Sequence, residues 1–298
     1  MAGTPTPTRW GALTAARRQT HPRLPFVVDD RRIGSVARQH ADALAAWPQW
    51  LARDPQGVRL IVPPARRTPV LQTINAELRA QGLIRGWRDE TFGLLDPSSG
   101  EAVATVERAS TRFWGTLTRG AHCNGYVADR SGRPAKIWIA RRSLHKATDP
   151  GLHDNLVGGG VPHGQTPHET LLREGWEEAG LNAAQMQAAR PGRVIRIDAD
   201  VPEGRMVEDI HAFDLELPED LVPSNQDGEV AEIRLMSLRE AAACAADGAM
   251  TVDAALVTLD FLLRWRLLAD DEHETLGQRL DALRAPRPGE PSAGLSTT

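Results

Sequence analysis

The chain has 298 residues, of which 41% are hydrophobic and 25% are charged, and its formal net charge is −4. This composition is typical of a globular protein with one large domain or two ordinary ones. The negative charge argues against non-specific binding to nucleic acids, and no apolar run approaches the roughly 18 residues of a membrane span. Its N-terminus lacks a secretory hydrophobic segment, and Cys123 and Cys244 alone cannot build a disulfide framework. We therefore expect a cytoplasmic protein, a monomer or homodimer, without nucleic-acid or membrane partners.

In the first part of the chain, residues 1–23 are rich in proline, threonine and arginine and are predicted to be a poorly ordered N-terminus. Residues 24–111 are predicted to form an N-terminal α/β domain. The hydrophobic periodicity predicts strands at 26–28 and 58–62, helices at 33–47 and 69–80, and a hairpin of strands 92–95 and 102–106.

A second domain is predicted over residues 112–270, followed by a C-terminal helix and a disordered tail in residues 271–298. The predicted strands are 124–128, 136–140, 193–197, 211–217 and 232–236, and the predicted helices are 167–179, 252–268 and 272–283. Strands that flank a glycine loop and a carboxylate-bearing helix favour a sandwich. The predicted fold class is therefore α/β (α+β), an N-terminal α/β unit followed by an α/β/α sandwich with a mixed sheet.

The helix of the second domain has clear boundary signals. Thr166 and Glu169 form a capping-box pattern, and Pro167 stands at the first helical position. Gly180 follows as a left-handed C-terminal cap. Between these signals, Glu174, Glu177 and Glu178 are spaced i, i+3 and i+4 and share one face of the helix.

Three carboxylates on one face repel each other, and Arg173 is the local residue that can neutralise them. A solvated acidic face is one interpretation. The other is a binding site for hard divalent cations, which prefer such oxygen ligands. The preceding glycines Gly158, Gly159 and Gly160 allow the backbone to approach a ligand closely. Metal ions held between helix and glycine loop could clamp a diphosphate.

This segment resembles the Nudix box, G-x5-E-x7-R-E-U-x-E-E-x-G-U, in which U is aliphatic. The matching residues are Gly159, Arg173, Glu174, Glu177, Glu178, Gly180 and Leu181. The resemblance implies a diphosphate hydrolase of the Nudix sandwich fold, with Mg²⁺ or alternatively Mn²⁺ as cofactor and the three glutamates as its ligands. Gln165 replaces the first glutamate of the box, and Gly175 replaces the aliphatic residue. Gln165 lies outside the helix trio, so metal binding is expected to survive.

The resemblance extends over roughly residues 24–268, to long Nudix proteins that carry an uncharacterised N-terminal domain. It rests on segments 86–90, 106–108, 120–126, 138–143, 146–151, 214–218 and 227–230. Some fungal relatives of this family continue into a thiamine pyrophosphokinase. The resemblance implies hydrolysis of thiamine diphosphate, or of its damaged analogues, to the monophosphate. It also implies that the absence of the first box glutamate is common in this family.

Further candidates surround the box. Arg141, Arg142 and Lys146 follow a strand that leads toward the glycine loop, and strand alternation allows only one of the two arginines to face a phosphate. Trp138, like Trp87 and Trp114, could stack on a cationic thiazolium ring, with core packing as the other interpretation. Glu229 precedes a predicted strand where Nudix enzymes place a further acid, as base or metal ligand. Turn formation by Asp227-Gly228 is its alternative.

Two other functions are compatible with a Nudix-like sequence. One is a non-catalytic ligand sensor. The other is an enzyme resembling isopentenyl diphosphate isomerase, for which Cys123 is the candidate proton donor. The intact glutamate trio favours the hydrolase over both. We further predict that the N-terminal domain packs against the second domain and borders its pocket, because ligand sites favour domain interfaces. A stabilising or dimerising module is the alternative role.

Overall fold

The computed structural model describes residues 9–146 and 148–286. Its strands are β1 (Arg23–Val28), β2 (Arg31–Ala37), β3 (Leu51–Asp54), β4 (Gly57–Leu60), β5 (Thr91–Leu95), β6 (Ala102–Glu107), β7 (Leu117–Ala128), β8 (Pro134–Arg142), β9 (His153–Asn155), β10 (Val157–Gly160), β11 (Arg190–Val201), β12 (Gly204–Glu216) and β13 (Val230–Ser237). Its α-helices are α1 (Ala12–Ala15), α2 (Pro64–Ala80), α3 (Ser110–Trp114), α4 (Pro167–Ala179), α5 (Ala183–Met186), α6 (Leu238–Ala246), α7 (Val252–Arg264) and α8 (Asp270–Asp281). A 3-10 helix spans Arg38–Ala46.

The N-terminal part forms a four-stranded sheet in the order β2-β1-β4-β3, with β1 parallel to β4 and the other neighbours antiparallel. The hairpin β5–β6 lies beyond it and contacts α2. One buried core holds this part together, and it includes Phe26 and Ile74. Trp114, at the end of α3, is fully buried in the same core, where its indole Nε1 donates a 2.8 Å hydrogen bond to Asn75.

The second part contains a seven-stranded mixed sheet. Its main order is β11-β12-β7-β8-β13; β10 pairs with β7, and β9 pairs with β8. β7 and β12 are parallel, and the other pairs are antiparallel. Alternate side chains point to opposite faces, so one core forms against α1, α6 and α7 and another against α4. The α/β class and the sandwich with a mixed sheet are therefore confirmed.

The structure corrects two predictions in the first 50 residues. Residues 1–23 were predicted to be poorly ordered, but Trp10 and Leu13 are buried against the α7 side of the second domain. Only residues 1–8 lie outside the described part of that segment. The helix predicted at 33–47 is wrong in its first part, since β2 pairs there with β1. Tertiary pairing overrides the helical spacing, and a Cβ at position 34 would meet the Trp114 carbonyl oxygen at 2.4 Å.

The other elements occur close to where the periodicity predicts them, although many are longer at one or both ends. The predicted helix at 272–283 corresponds to α8. The tail predicted to follow it falls largely on residues 287–298, outside the described residues. Of the helices in the described ranges, none is long and apolar enough to cross a membrane.

Candidate active site

The carboxylate helix α4 begins and ends as its sequence dictates. The Thr166 hydroxyl accepts a hydrogen bond from the Glu169 amide (3.2 Å), and the Glu169 carboxylate accepts one from the Thr166 amide (2.7 Å). This capping box is therefore confirmed. Gly180 has a φ of +66° and closes the helix in the left-handed conformation. These two caps set the start and end of α4, and with them the positions of its glutamates.

The three glycines belong to strand β10, which pairs with β7, and do not form the predicted loop. Strand β10 packs against α4. A Cβ on Gly159 would lie 2.2 Å from Oε1 of Glu174, and a Cβ on Gly158 would lie 2.8 Å from the His122 ring. Both distances are too short for any side chain. Gly159 therefore gives room for the close approach of Glu174 to the backbone, and Gly158 gives room for the His122 ring.

Two of the three glutamates are paired with Arg173 of their own helix. One guanidinium nitrogen lies 2.7 Å from Oε2 of Glu177, and the other lies 2.7 Å from Oε1 of Glu174. Burial raises the pKa of Glu174, and Arg173 opposes this effect. The Arg173 guanidinium thus holds two carboxylates that face the same open space.

The third glutamate, Glu178, is buried behind the glycine strand. Its Oε2 accepts a 2.8 Å hydrogen bond from the Gly158 amide, and its Oε1 lies 3.8 Å from Nζ of Lys146. Burial, and next the charge of Glu174, raise the pKa of Glu178 well above its ordinary value. Ionised Glu178 therefore destabilises the fold unless a cation compensates for it.

Lys146 links this buried carboxylate to Glu229, which precedes β13. Its ammonium group contacts Oε2 of Glu229, while Arg88 lies 4.0 Å from Oε1. Burial alone would raise the pKa of Glu229. The hydrogen bond and charge of Lys146, with help from Arg88 and Arg108, outweigh burial and lower this pKa. Glu229 is accordingly ionised at neutral pH.

With the exception of the buried Glu178, these side chains border a cavity of about 560 Å³, a volume within the roughly 300–1,000 Å³ of small-molecule sites. The N-terminal domain contributes Arg88, Glu90 and Arg108 to its wall, and Arg112 joins them from the boundary between the domains. The prediction that this domain borders the pocket is therefore confirmed. The individual residues were missed, although segments 86–90 and 106–108 were among those that carried the family resemblance. Charged residues beside the ends of a predicted hairpin were the available signal.

The wall on the far side of Gly158 carries a second acidic group. Asp154 accepts a 2.9 Å hydrogen bond from Arg142, and Asp253 Oδ2 lies 3.6 Å from Nε2 of His122. Nδ1 of His122 lies 3.1 Å from the Asn155 side-chain oxygen. Burial, followed by the charge of Asp253, raises the pKa of Asp154. Burial alone would raise the pKa of Asp253. The charge of His122 and a hydrogen bond from Thr251 outweigh burial and lower this pKa.

Known families match both parts of the chain. Residues 119–257 match the NUDIX domain model, and residues 11–118 match a domain of unknown function, DUF4743. The chain is 32% identical over 252 residues to Nudix hydrolase 24, chloroplastic, of Arabidopsis thaliana, an alignment that covers 82% of this chain and 68% of the relative. Nudix hydrolase 20, chloroplastic, of the same plant is 31% identical over 81% of this chain and 67% of its own length.

The chain belongs to the Nudix hydrolase family. It is a hydrolase, of a family that acts on small molecules containing a diphosphate. Among solved structures, DR0079 from Deinococcus radiodurans is similar with a TM-score of 0.44 and 22% identity, covering 57% of this chain and 97% of that one.

Of the Nudix candidates outside the box, Arg142 and Lys146 border the cavity. Arg141 is exposed and donates to the Gly151 carbonyl oxygen (3.2 Å), so the two neighbouring arginines do point in different directions. Trp138 is a correction, because it is buried in the core under α4 and cannot stack on a ligand in the cavity. Trp87 lies nearer, in a side cavity of about 320 Å³ that it shares with Arg88, Lys146 and Glu229.

Of the two departures from the Nudix box, Gln165 precedes α4 and Gly175 lies on the side of α4 that faces α5. Gln165 accepts a 3.0 Å hydrogen bond from the Thr170 hydroxyl at the start of α4. Gly175 gives room to Met186 of α5, since a Cβ there would lie 2.6 Å from its sulfur. Cys123, the candidate acid of the isomerase alternative, is fully buried in the core, and burial raises the pKa of its thiol well above the ordinary value. It offers no proton to the cavity.

The donor set of the box fits a hard divalent cation, because it consists of carboxylate oxygens beside a glycine backbone. These carboxylates already form ion pairs with cationic side chains. Arg173 pairs with Glu174 and Glu177, and Lys146 pairs with Glu178 and Glu229. In this arrangement no three acidic, histidine or cysteine side chains of residues 9–146 and 148–286 converge on one point as metal ligands. A bound metal would replace these side-chain cations.

Proposed function

We propose that this Nudix hydrolase is a metal-dependent pyrophosphohydrolase that uses Mg²⁺, with Mn²⁺ as a substitute. Glu174, Glu177 and Glu178 would hold the metal, and Glu229 would be a further ligand or a proton acceptor. The observation that carries the proposal is one cavity that joins Glu174, Glu177 and Glu229 to arginines from both domains. Divalent ions would supply electrostatic stabilisation of the diphosphate and a water of lowered pKa.

The chain's own residues would bind and orient the diphosphate. Arg88 and Arg108 of the N-terminal domain and Arg112 at the domain boundary present cationic groups to the cavity. Guanidinium groups match phosphate oxygens in geometry. Gly158, Gly159 and Gly160 keep the floor open for the phosphates. Arg173 would orient Glu174 and Glu177, with which it is already paired.

The substrate that we propose is a thiamine diphosphate-like compound, cleaved to its monophosphate and inorganic phosphate. The family resemblance is the main support. The structure adds two features that suit a ring beside a diphosphate: the acidic wall of Asp154 and Asp253 could complement a cationic thiazolium, and Trp87 lies beside the cavity. If the enzyme removes damaged cofactor, a neutral oxidised analogue should have the higher kcat/KM.

The test is a competition in one vessel among thiamine diphosphate, its neutral oxidised analogue and a nucleoside diphosphate sugar, with Mg²⁺ present. Product monophosphates are separated and quantified. We expect both thiamine compounds to be consumed before the nucleotide sugar. Faster consumption of the nucleotide sugar would refute the thiamine assignment, and dependence of its cleavage on Mg²⁺ and Glu178 would still support the hydrolase mechanism.

Several finer predictions belong to the same proposal. The division at residues 24–111 and 112–270, the kinship with fungal thiamine pyrophosphokinase fusions, the lack of nucleic-acid partners and the monomeric or homodimeric state remain predictions. The cytoplasmic location also remains a prediction. The two plant relatives are named as chloroplastic. Gel filtration with light scattering tests the oligomeric state directly.

A further inference from the structure

A second cavity lies on the reverse side of β12. Met206 and Glu208 point into the active-site cavity, whereas Arg205 and Val207 line another cavity of about 470 Å³. Because alternate residues of a strand face opposite sides, β12 separates the two cavities. The second one is closed by β2 of the N-terminal domain and by the segment that follows α8. It is therefore a separate compartment and not an extension of the active site.

The charge of this compartment is strongly positive, although the chain as a whole carries a net charge of −4. Five arginines line it, namely Arg17, Arg32, Arg196, Arg205 and Arg284, against one acid, Asp198. Asp198 is paired with Arg205 at 2.7 Å, and Arg196 is paired with Asp209 at 2.8 Å. The other three arginines are exposed, and within the described ranges their guanidinium groups form no hydrogen bond or ion pair.

Burial and neighbouring positive charge both disfavour the charged form of the arginines here. Burial, and next the charge of Arg205, lower the pKa of Arg32. The same two causes, in the same order, lower the pKa of the neighbouring Arg23 to about 10. A bound anion would relieve this repulsion. The remaining lining is largely apolar and includes Ile33, Leu117 and Leu283.

We propose that this compartment binds a small molecule that carries a phosphate group on an apolar body. Three unpaired guanidinium groups suit a dianion better than a monoanion, and the volume suits a small organic ligand. This site is independent of the diphosphate site proposed above, because no residue of its wall borders the active-site cavity.

Phenyl phosphate is a suitable probe, because it has no diphosphate bond to cleave. Its binding to the full chain is measured by calorimetry in EDTA, with Arg32→Gln/Arg284→Gln as the test variant. Neither arginine takes part in an ion pair within the described residues, so the fold should persist. Arg130→Gln, in the exposed turn between β7 and β8, is the matched control.

We expect saturable binding with a Kd on the order of 1 mM or tighter. The double variant should weaken it at least tenfold, whereas the Arg130 variant should stay within about twofold. Benzoate, a monoanion of similar shape, should bind more weakly. Absence of saturable binding, equal or tighter binding of benzoate, or an unchanged Kd in the double variant would each overturn the proposal. So would loss of binding in Arg88→Gln/Arg108→Gln, which would place the probe in the active-site cavity.

Discussion

The active-site cavity has two acidic walls that differ in how their charge is held. On α4, the glutamates are paired with Arg173 and Lys146, cations on long side chains that can be exchanged for a metal. On the other wall, Asp154 adjoins Asn155, whose amide donates to Asn124 at 2.9 Å within the core. Asp154 is held by Arg142 at 2.9 Å and Asp253 lies 3.6 Å from His122, and both of these partners belong to strands of the sheet. We call Glu174, Glu177 and Glu178 the exchangeable wall, and Asp154 with Asp253 the fixed wall. In the function proposed above, the first wall would serve catalysis and the second would serve selectivity.

The largest expected effect tests the exchangeable wall. Glu178→Gln should lower kcat by at least about a hundredfold. Loss of a residue that only supports a metal ligand costs up to about a hundredfold, and Glu178 is proposed as a ligand itself. Its pKa is raised in the fold, so ionisation of Glu178 lowers stability increasingly as the pH rises above the ordinary glutamate value of about 4.3. Glutamine carries no charge and can still accept the Gly158 hydrogen bond. The metal-free Tm at neutral pH should therefore be equal or higher.

Glu169→Gln is the matched control for this variant, because it makes the same change on the same helix. Glutamine also serves in a capping box, so both Tm and kcat should change little. Near-normal turnover of the Glu178 variant would remove that residue from the metal site. A marked fall of its metal-free Tm would contradict the account of its burial.

The next effect concerns Lys146, which competes with a metal for Glu178 and Glu229. Lys146→Met should raise the affinity for Mn²⁺ in the absence of substrate by about tenfold, because a nearly buried competing cation is lost. Titration followed by paramagnetic resonance of free Mn²⁺ measures this affinity. Unchanged or weaker Mn²⁺ binding would show that Lys146 does not compete with the metal.

The only other lysine of the chain, Lys136, provides the matched control. It forms an exposed ion pair with Glu219, so Lys136→Met should leave the Mn²⁺ affinity unchanged. With only two lysines, ¹³C labelling of the lysine side chains should give two signals, which this variant assigns. Addition of Mg²⁺ should shift the signal of Lys146 and not that of Lys136.

The sequence predicted the exchangeable wall far better than the fixed one. Capping signals and helical spacing place Glu174, Glu177 and Glu178 on one face, since they depend on neighbours within one helix. Asp154 and Asp253 are about 100 residues apart, and only the pairing of β9 with β8 and the packing of α7 bring them together. The error at Trp138 has a similar origin. The strand that contains Trp138 was predicted correctly. Which helix covers each face of the sheet depends on contacts between segments far apart in the chain, so the local sequence does not show it.

A smaller effect is expected on the fixed wall. Asp253→Asn should lower kcat/KM for cationic thiamine diphosphate by about tenfold, because an ionised carboxylate is lost from the cavity. The neutral analogue should change by less than about threefold in the same assay. Asp220→Asn, in an exposed loop, is the control. Equal losses for both substrates would show that Asp253 acts through the fold and not through charge selection.

The smallest effect is expected at Gln165, the box position that departs from the Nudix pattern. Its side chain accepts a hydrogen bond from Thr170, near the start of α4, and does not border the active-site cavity. Glutamate can accept the same bond, so Gln165→Glu should change kcat/KM by less than about tenfold, the range of one ordinary hydrogen bond. A larger gain would mean that the natural residue attenuates the enzyme. Such a gain would favour the ligand-sensor alternative, because the natural Gln165 would then hold catalysis low even though the glutamate trio is intact.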